Sequence, residues 1–556
     1  MFARFSLATV ACAALIVAEN GFVSPPSRLK TKNGYQNTTV RFKEVPAGIC
    51  EMNEKAKSYS GYVDTAVNEH MYFWFFESRN NPREAPLTVW FNGGPGSSSL
   101  IGLFQENGPC QIDADGKPRN NKHSWTEVSN MLYIDQPVTT GLSYSVVSPV
   151  VYNTKSGSIA KRLDSNHCPS SLDKHEKCAT FSLPDESSIP SSTHESARSV
   201  WKLLQGFLGA FPEYANTSLH LATESYGGHF APAFGTYILE QNENEPVNSV
   251  PLQLQSVLIG NGWFDPIIQY QAFYNFTVLP GNTYNLFPYN ETVSNKLFTN
   301  LYGDGKCLDQ LKECYSSKAN KICRKADSFC AKNVESFLDE YGNRDEYDIR
   351  EMNPDPFPYN RYVAYLNSNH VQEAIGAFQN YSESSRAVSR AFTRTGDDGR
   401  REGSIENLKS LLNQGVTVTL HAGDADYNCN WLGVEVISNL VGGEHFARAG
   451  YTDLNTAGRE APGAVKQAGN FSFVRIYYSG HEVPFYQPIA ALELLNRTIH
   501  RKDIATGNRS PSWDYWTKGH PKSTFHQGND TVQFRPLPPN ATYNHTTHKP
   551  NMYYYT

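Results

Sequence analysis

The chain has 556 residues, 39% of them hydrophobic and 13% aromatic, with a formal net charge of -6 and an isoelectric point near 6.3. That composition can bury a large core, as one domain with insertions or as two, and it excludes disorder throughout. No dense Lys/Arg tract occurs, so nothing in the charge pattern calls for nucleic acid, and the expected partner is small or peptidic.

Arg4 precedes an apolar run from Phe5 to Ala18 that is too short to span a bilayer and ends in small residues. It reads as a signal peptide cut near Ala18, with a buried N-terminal helix as the alternative. Residues 19 to 58 are polar and irregular. Gly61-Tyr62-Val63 and Met71 to Glu77 read as aromatic strands, and Pro86 to Phe91 and Met131 to Ile134 as buried strands opening into NGGPGSSS and DQPVTTGLSYS. From about 150 to 192 periodicity is lost, which predicts an inserted surface loop. A helix then starts at the Ser192/Glu195 capping box, with Ala197, Val200, Trp201, Leu204, Phe207, Leu208 and Phe211 on one face. It leads to the alternating run Ser218-Leu219-His220-Leu221.

Leu252 to Ile259 is the next strand, ending in GNGWFDP, and residues 265 to 360 read as an inserted helical cap. Gly415 to His421 and Phe471 to Tyr478 resume the strands. Beyond 505, residues to 556 are rich in Pro, Asn, His and Thr, which predicts a glycosylated, disordered tail with no lipid anchor. Strands alternating with helices over 59 to 505 predict an α/β fold, its mainly parallel sheet covered on both faces and its active groups in loops beyond the strand carboxyl ends.

Without Cys12, nine cysteines remain, so one thiol is left over. Cys307, Cys314, Cys323 and Cys330 have a symmetric spacing that suits two nested bridges, Cys307 to Cys330 and Cys314 to Cys323, across a helical hairpin. Zinc prefers closer C-x2-C pairs, so no metal is expected. Cys168 and Cys178 form a further pair within the 150 to 192 insert. Sequons begin at Asn37, Asn216, Asn275, Asn290, Asn380, Asn470, Asn496, Asn508, Asn529, Asn540 and Asn544, a density that suits a glycoprotein of the secretory pathway.

Leu221 to Pro232, LATESYGGHFAP, organises the chain. A serine on a tight strand-to-helix turn projects its hydroxyl above the sheet, which makes Ser225 the candidate nucleophile. Thr223 replaces the first glycine of the usual G-x-S-x-G, and only Gly227 fits. A serine hydroxyl needs a base held in one tautomer by a carboxylate. The turns after the two late strands supply Asp424 or Asp426 and His481, and the order Ser225, Asp426, His481 is that of the α/β-hydrolases.

WFNGGPGSSSLIGLFQENGPC, DQPVTTGLSYS, TESYGGHFAP, IGNGWFDP, GDADYNCNWLG and SGHEVP, in that order, resemble the serine carboxypeptidase family, closest to fungal secreted carboxypeptidase S1-like enzymes. The resemblance spans about 60 to 500 and implies an α/β-hydrolase fold with a disulfide-bridged cap. It implies Ser225, Asp426 and His481 as the triad, Asp426 being preferred to Asp424 because it stands three before Cys429. The amides of Gly94 and Tyr226 would form the oxyanion hole, and Trp90, Asn92, Gly93, Glu106 and Glu224 would bind the substrate carboxylate. Cys429 would be the free thiol. Glu482 takes a place where some relatives carry methionine in the leaving-residue pocket. Ser97 stands where many relatives have cysteine, Thr139 replaces a glycine, and the bridge lost at Ser97 could be replaced by Cys50 with Cys110.

The expected activity is release of C-terminal residues from peptides or proteins through an acyl-enzyme, favoured at acidic pH, with no cofactor or membrane anchor, by a secreted or vacuolar/lysosomal enzyme. The alternatives are an acyltransferase on the same scaffold and a non-catalytic secreted binding protein.

Overall fold

The computed structural model describes residues 21–551 except 156, 184, 216, 280, 281, 402 and 459. The signal peptide and the Asn216 sequon lie outside the described residues. A 12-stranded sheet runs through the chain. Its strands are β1 Lys30–Asn33, β2 Thr39–Glu44, β3 Ser58–Ala66, β4 Glu69–Phe76, β5 Leu87–Phe91 and β6 Asn130–Ile134, then β7 Leu219–Ser225, β8 Leu254–Gly262, β9 Thr417–Gly423, β10 Thr452–Asp453, β11 Gly463–Ala468 and β12 Phe471–Ile476. Their spatial order is β1-β2-β3-β4-β6-β5-β7-β8-β9-β12-β11-β10. The middle, from β6 to β12, is parallel, and both edges are antiparallel. This is an α/β-hydrolase arrangement.

Period-two alternation explains how one aromatic run serves both faces. Phe73 and Phe75 of β4 enter one hydrophobic cluster, while Tyr72, Trp74 and Phe76 enter the other. The first cluster holds Trp201, Leu204 and Phe207 of the helix Thr193–Ala210, capped by Ser192, whose side chain accepts from the Glu195 amide. The second holds Leu494 and Leu495 of the helix Pro488–Ile499. With both faces covered, polar loops at the strand ends are left as the place for chemistry.

The segment between β8 and β9 contains the helices Pro266–Thr277, Glu291–Tyr302, Cys307–Ser317 and Asn320–Cys330, and the last two are stapled by Cys307–Cys330 and Cys314–Cys323. Two segments differ from the sequence reading. Val146–Asn153, Ile159–Arg162 and Glu176–Leu183 form an antiparallel three-stranded sheet where a loop was expected, with the Cys168–Cys178 bridge beside it. Its pairing is supplied by neighbouring strands, which a single segment's periodicity does not report.

The tail past 505 is not disordered over its described part. Thr542–Asn544 pairs with Lys549–Asn551, and Ala541 and Tyr543 are buried with Phe357, Phe485 and Tyr486. Arg350 ties the tail down, its backbone oxygen accepting from the Gln533 amide at 2.7 Å and its Nη1 donating to the His548 carbonyl at 3.1 Å. A polar composition can still order where tertiary contacts satisfy its backbone.

Candidate active site

Strand β7 ends at Ser225, and the helix Gly227–Asn244 starts two residues later. The turn is sharp enough to put Ser225 at φ 59°, a left-handed conformation that costs a non-glycine residue on the order of 1–3 kcal/mol. Pairing fixes it there, since the Trp263 amide donates to the Ser225 carbonyl at 2.8 Å. Thr223 fits because its hydroxyl turns sideways to donate to the Phe91 carbonyl of β5 at 2.5 Å. Gly227 makes the room, for a Cβ there would stand 2.0 Å from Thr223 Oγ1. Likewise a Cβ on Gly93 would stand 2.4 Å from the Tyr226 amide nitrogen, so only glycine lets that loop approach the elbow. The Tyr226 ring is pinned in turn, its hydroxyl donating to Asp397 at 2.6 Å.

Asp426 follows β9, and His481 follows β12, the parallel neighbour of β9. His481 Nδ1 lies 2.8 Å from Asp426 Oδ2, and that oxygen also accepts from Asn261 Nδ2 at 2.7 Å and from the Cys429 amide at 3.2 Å. Asp424 points elsewhere, accepting from Tyr284 Oη at 2.6 Å and facing Arg475 at 3.8 Å. The His481 amide donates to the Tyr347 carbonyl at 2.8 Å, with the Tyr347 ring centroid 4.9 Å from the imidazole. Burial opposes the imidazolium, but Asp426, then Glu224 and Glu482, outweigh it and push His481 up to about 9.

Ser225 and His481 line one cavity of about 450 Å³, together with Asn92, Gly93, Gly94, Glu224 and Glu482. Trp90 and Glu106 stand behind it. Trp90 Nε1 donates to Asn92 Oδ1 at 2.8 Å, which turns the Asn92 amide nitrogen to Glu224 Oε1 at 2.7 Å. Glu106 lies on a buried π-helical turn, Gly102–Asn107. Burial first, then Glu224 and Glu482, hold its carboxyl well above the carboxylate range. Glu482 is raised in the same way by burial and by Glu224, and Glu224 is raised chiefly by burial. Three buried carboxyls, of which Glu224 raises the other two, disfavour carrying three charges at once.

Cys50–Cys110 is bonded, and Cys429 is free and buried. Asp426, Cys429 and His481 bring donor atoms within 4.8 Å of one another, the spacing of a metal site. Part of that donor set is already engaged. Asp426 Oδ2 carries three hydrogen bonds, and burial, then Asp426, holds the Cys429 thiol well above its usual pKa, so a cation would first have to displace protons. Ser97 pairs by backbone with Ser384, a bridge extended by Ser98 N to Glu383 O at 2.8 Å and Ser385 N to Gly96 O at 2.9 Å. Thr139 takes φ 76° and its hydroxyl meets that of Ser385 at 3.0 Å.

Among the sequons, Asn37, Asn290, Asn508, Asn529 and Asn540 are exposed, and Asn275, Asn496 and Asn544 are partly so. Asn380 and Asn470 spend their amide nitrogens internally, on Asn367 and on the Leu412 and Val416 carbonyls.

Sequence reasoning quoted GNGWFDP without giving Asn261 a part. Its signal was an asparagine between two glycines at a strand end, a place where φ turns positive, here 43°.

The model for the family described as serine carboxypeptidase matches residues 48–501. The chain is 39% identical over 536 residues to carboxypeptidase S1 homolog A of Arthroderma otae, covering 89% of this chain and 81% of that one. It is 38% identical over 467 residues to carboxypeptidase S1 of Penicillium janthinellum, covering 83% and 99%. Its fold is similar to the crystal structure of a prohormone-processing carboxypeptidase from Saccharomyces cerevisiae, with a TM-score of 0.62 at 22% identity over 83% of this chain and 91% of that one.

Proposed function

The chain belongs to the serine carboxypeptidase family, and from that premise we propose how its residues release a C-terminal amino acid. Ser225 Oγ attacks the last peptide carbonyl while His481 Nε2 takes its proton, and Asp426 holds the Nδ1–H and faces the imidazolium that forms. The hydrogen bond of 2.8 Å between Asp426 and His481 carries this reading. Amides of Gly94 and Tyr226 receive the oxyanion. His481 then gives its proton to the leaving amine, the free amino acid departs, and water attacks the acyl-Ser225 ester by the same route.

The substrate carboxylate is met by Asn92 and Gly93, backed by Trp90, and by Glu224 with Glu106. Two buried carboxyls can bind an anion only when they hold a proton between them, so binding is favoured at acidic pH. Sequons and four disulfides support a secretory route ending outside the cell or in a lytic compartment. Among the described residues no helix is long and apolar enough to cross a membrane.

The test is release of free amino acid from an N-acylated Phe-Leu at pH 4 to 7, beside its C-terminal amide and the Ser225→Ala variant. Release from the acid, much slower from the amide at low pH and absent in the variant, is the expected result. No release together with fluorophosphonate labelling of Ser225 would instead point to acyl transfer.

Glu482 lines the cavity, its Oε2 has no hydrogen-bond partner among the described residues, and the family resemblance puts it beside the leaving residue. A cationic side chain would pair with it and draw off its raised proton. C-terminal Lys and Arg should therefore be released faster than Leu, the more so as pH rises, and Glu482→Met should reverse the order. Equal kcat/KM for Lys and Leu dipeptides would remove this assignment.

A further inference from the structure

A second cavity, about 620 Å³, adjoins the catalytic one, and Glu383 and Ser384 line both. Its walls include Tyr152 and Phe181 of the inserted three-stranded sheet, Tyr381, and one face of the helix Arg386–Thr395. That helix buries Val388, Ala391 and Phe392 on its inner side. Arg386, Arg390 and Arg394, spaced by four, share the outer side and line the cavity, and all three are exposed. Like charges at that spacing repel one another, so the stripe destabilises its own helix unless something anionic meets it.

Arg394 is paired with Glu186 at 3.4 Å, whereas neither Arg386 nor Arg390 lies within ion-pair distance of a carboxylate among the described residues. The face is also not part of a generally basic surface, since the chain carries a net charge of -6 and the adjoining catalytic cavity is lined by Glu224, Glu335, Glu346, Glu383, Asp398 and Glu482.

We infer that this second cavity holds the stretch of a peptide substrate upstream of the scissile bond and selects acidic side chains there. The inference rests on the carboxypeptidase reading. On that reading the substrate's C-terminal carboxylate stops against Asn92 and Glu224, and the upstream part of the chain is what is left to cross Glu383 and Ser384 into the second cavity. Spacing fits as well. Four residues of helix, just over one turn, separate Arg386 from Arg390 by about 6 Å along the axis. Alternate residues of an extended peptide lie about 6.6 Å apart, so side chains two positions apart on one edge of the peptide meet the two guanidinium groups. Bidentate capture of carboxylates is what arginine does best.

The experiment uses blocked hexapeptides with an identical C-terminal dipeptide and Glu, Gln or Lys at two alternate upstream positions, beside the blocked dipeptide alone. Wild type and the Arg386→Ala/Arg390→Ala double variant are compared at low and high salt. The Glu hexapeptide should be cleaved about tenfold faster than the Gln one by the wild type, through KM, with the preference lost in the double variant and weakened by salt. Arg390→Glu should shift the preference toward Lys, while the dipeptide is cleaved alike by all of these proteins. Labelled hexapeptides are also titrated onto Ser225→Ala by fluorescence anisotropy. An uncleaved dipeptide would count against the carboxypeptidase reading. Equal affinity of Ser225→Ala for the Glu and Gln peptides, or a preference that survives the double variant, would overturn the subsite.

Discussion

Asp426→Asn should lower kcat by about 10⁴-fold with little change in fold, because an amide in place of the carboxylate favours the wrong imidazole tautomer and no longer faces its positive charge. Asp424→Asn should do the reverse. Asp424 is two residues away and equally buried, but it is spent on Tyr284 and Arg475, whose guanidinium carbon lies 3.8 Å from the Trp431 ring centroid. Its loss disturbs a buried ion pair, a change that costs about 3–5 kcal/mol when a partner is removed outright. The expected outcome is a lower melting temperature with kcat per folded molecule within an order of magnitude of wild type. Steady-state kinetics on active-site-titrated protein, with thermal melts of both variants, separates the two carboxylates. The opposite pattern would hand the base-orienting part to Asp424.

Glu224→Gln should flatten the pH dependence of KM. In the proposed clamp a carboxylate is bound only while Glu106 and Glu224 retain a proton, and burial holds both carboxyls above the ordinary carboxylate range. As pH rises through that titration the proton leaves, carboxylate meets carboxylate, and KM climbs by up to about tenfold per pH unit, the limit for one linked proton. Glutamine keeps a donor at every pH. Once Glu224 has lost its proton its charge helps to raise His481, so in the Gln variant His481 should titrate lower than in the wild type. Measuring kcat and KM separately from pH 4 to 10 reads both shifts. A KM profile identical to wild type would remove Glu224 from the clamp.

The turn that carries Ser225 was legible from the sequence because its constraints are local. A strand, a serine, two glycines and a helix leave one geometry, and Thr223, which broke the motif, proved compatible through a bond to β5. The two late strands were equally plain, and with them the turns that hold Asp426 and His481. What stayed hidden depends on residues distant in sequence. Asn261 acts on Asp426 across 165 positions, and Ser97 finds Ser384 across the molecule with no cysteine to mark the contact. The inserted sheet and the ordered tail escaped for the same reason. Tyr543 is buried by Phe357 and Phe485, not by anything near it in the chain.

The adjacency of β7, β8, β9 and β12 also bears on when the enzyme becomes dangerous to its own cell. During synthesis Ser225 leaves the ribosome some 200 residues before Asp426 and about 250 before His481. Until β12 adds to the edge of β9, that serine is an ordinary hydroxyl with no base to take its proton. With the triad proposed above, the nascent chain therefore carries Ser225 through translation in an inert form, and proteolytic power waits until β12 has paired with β9.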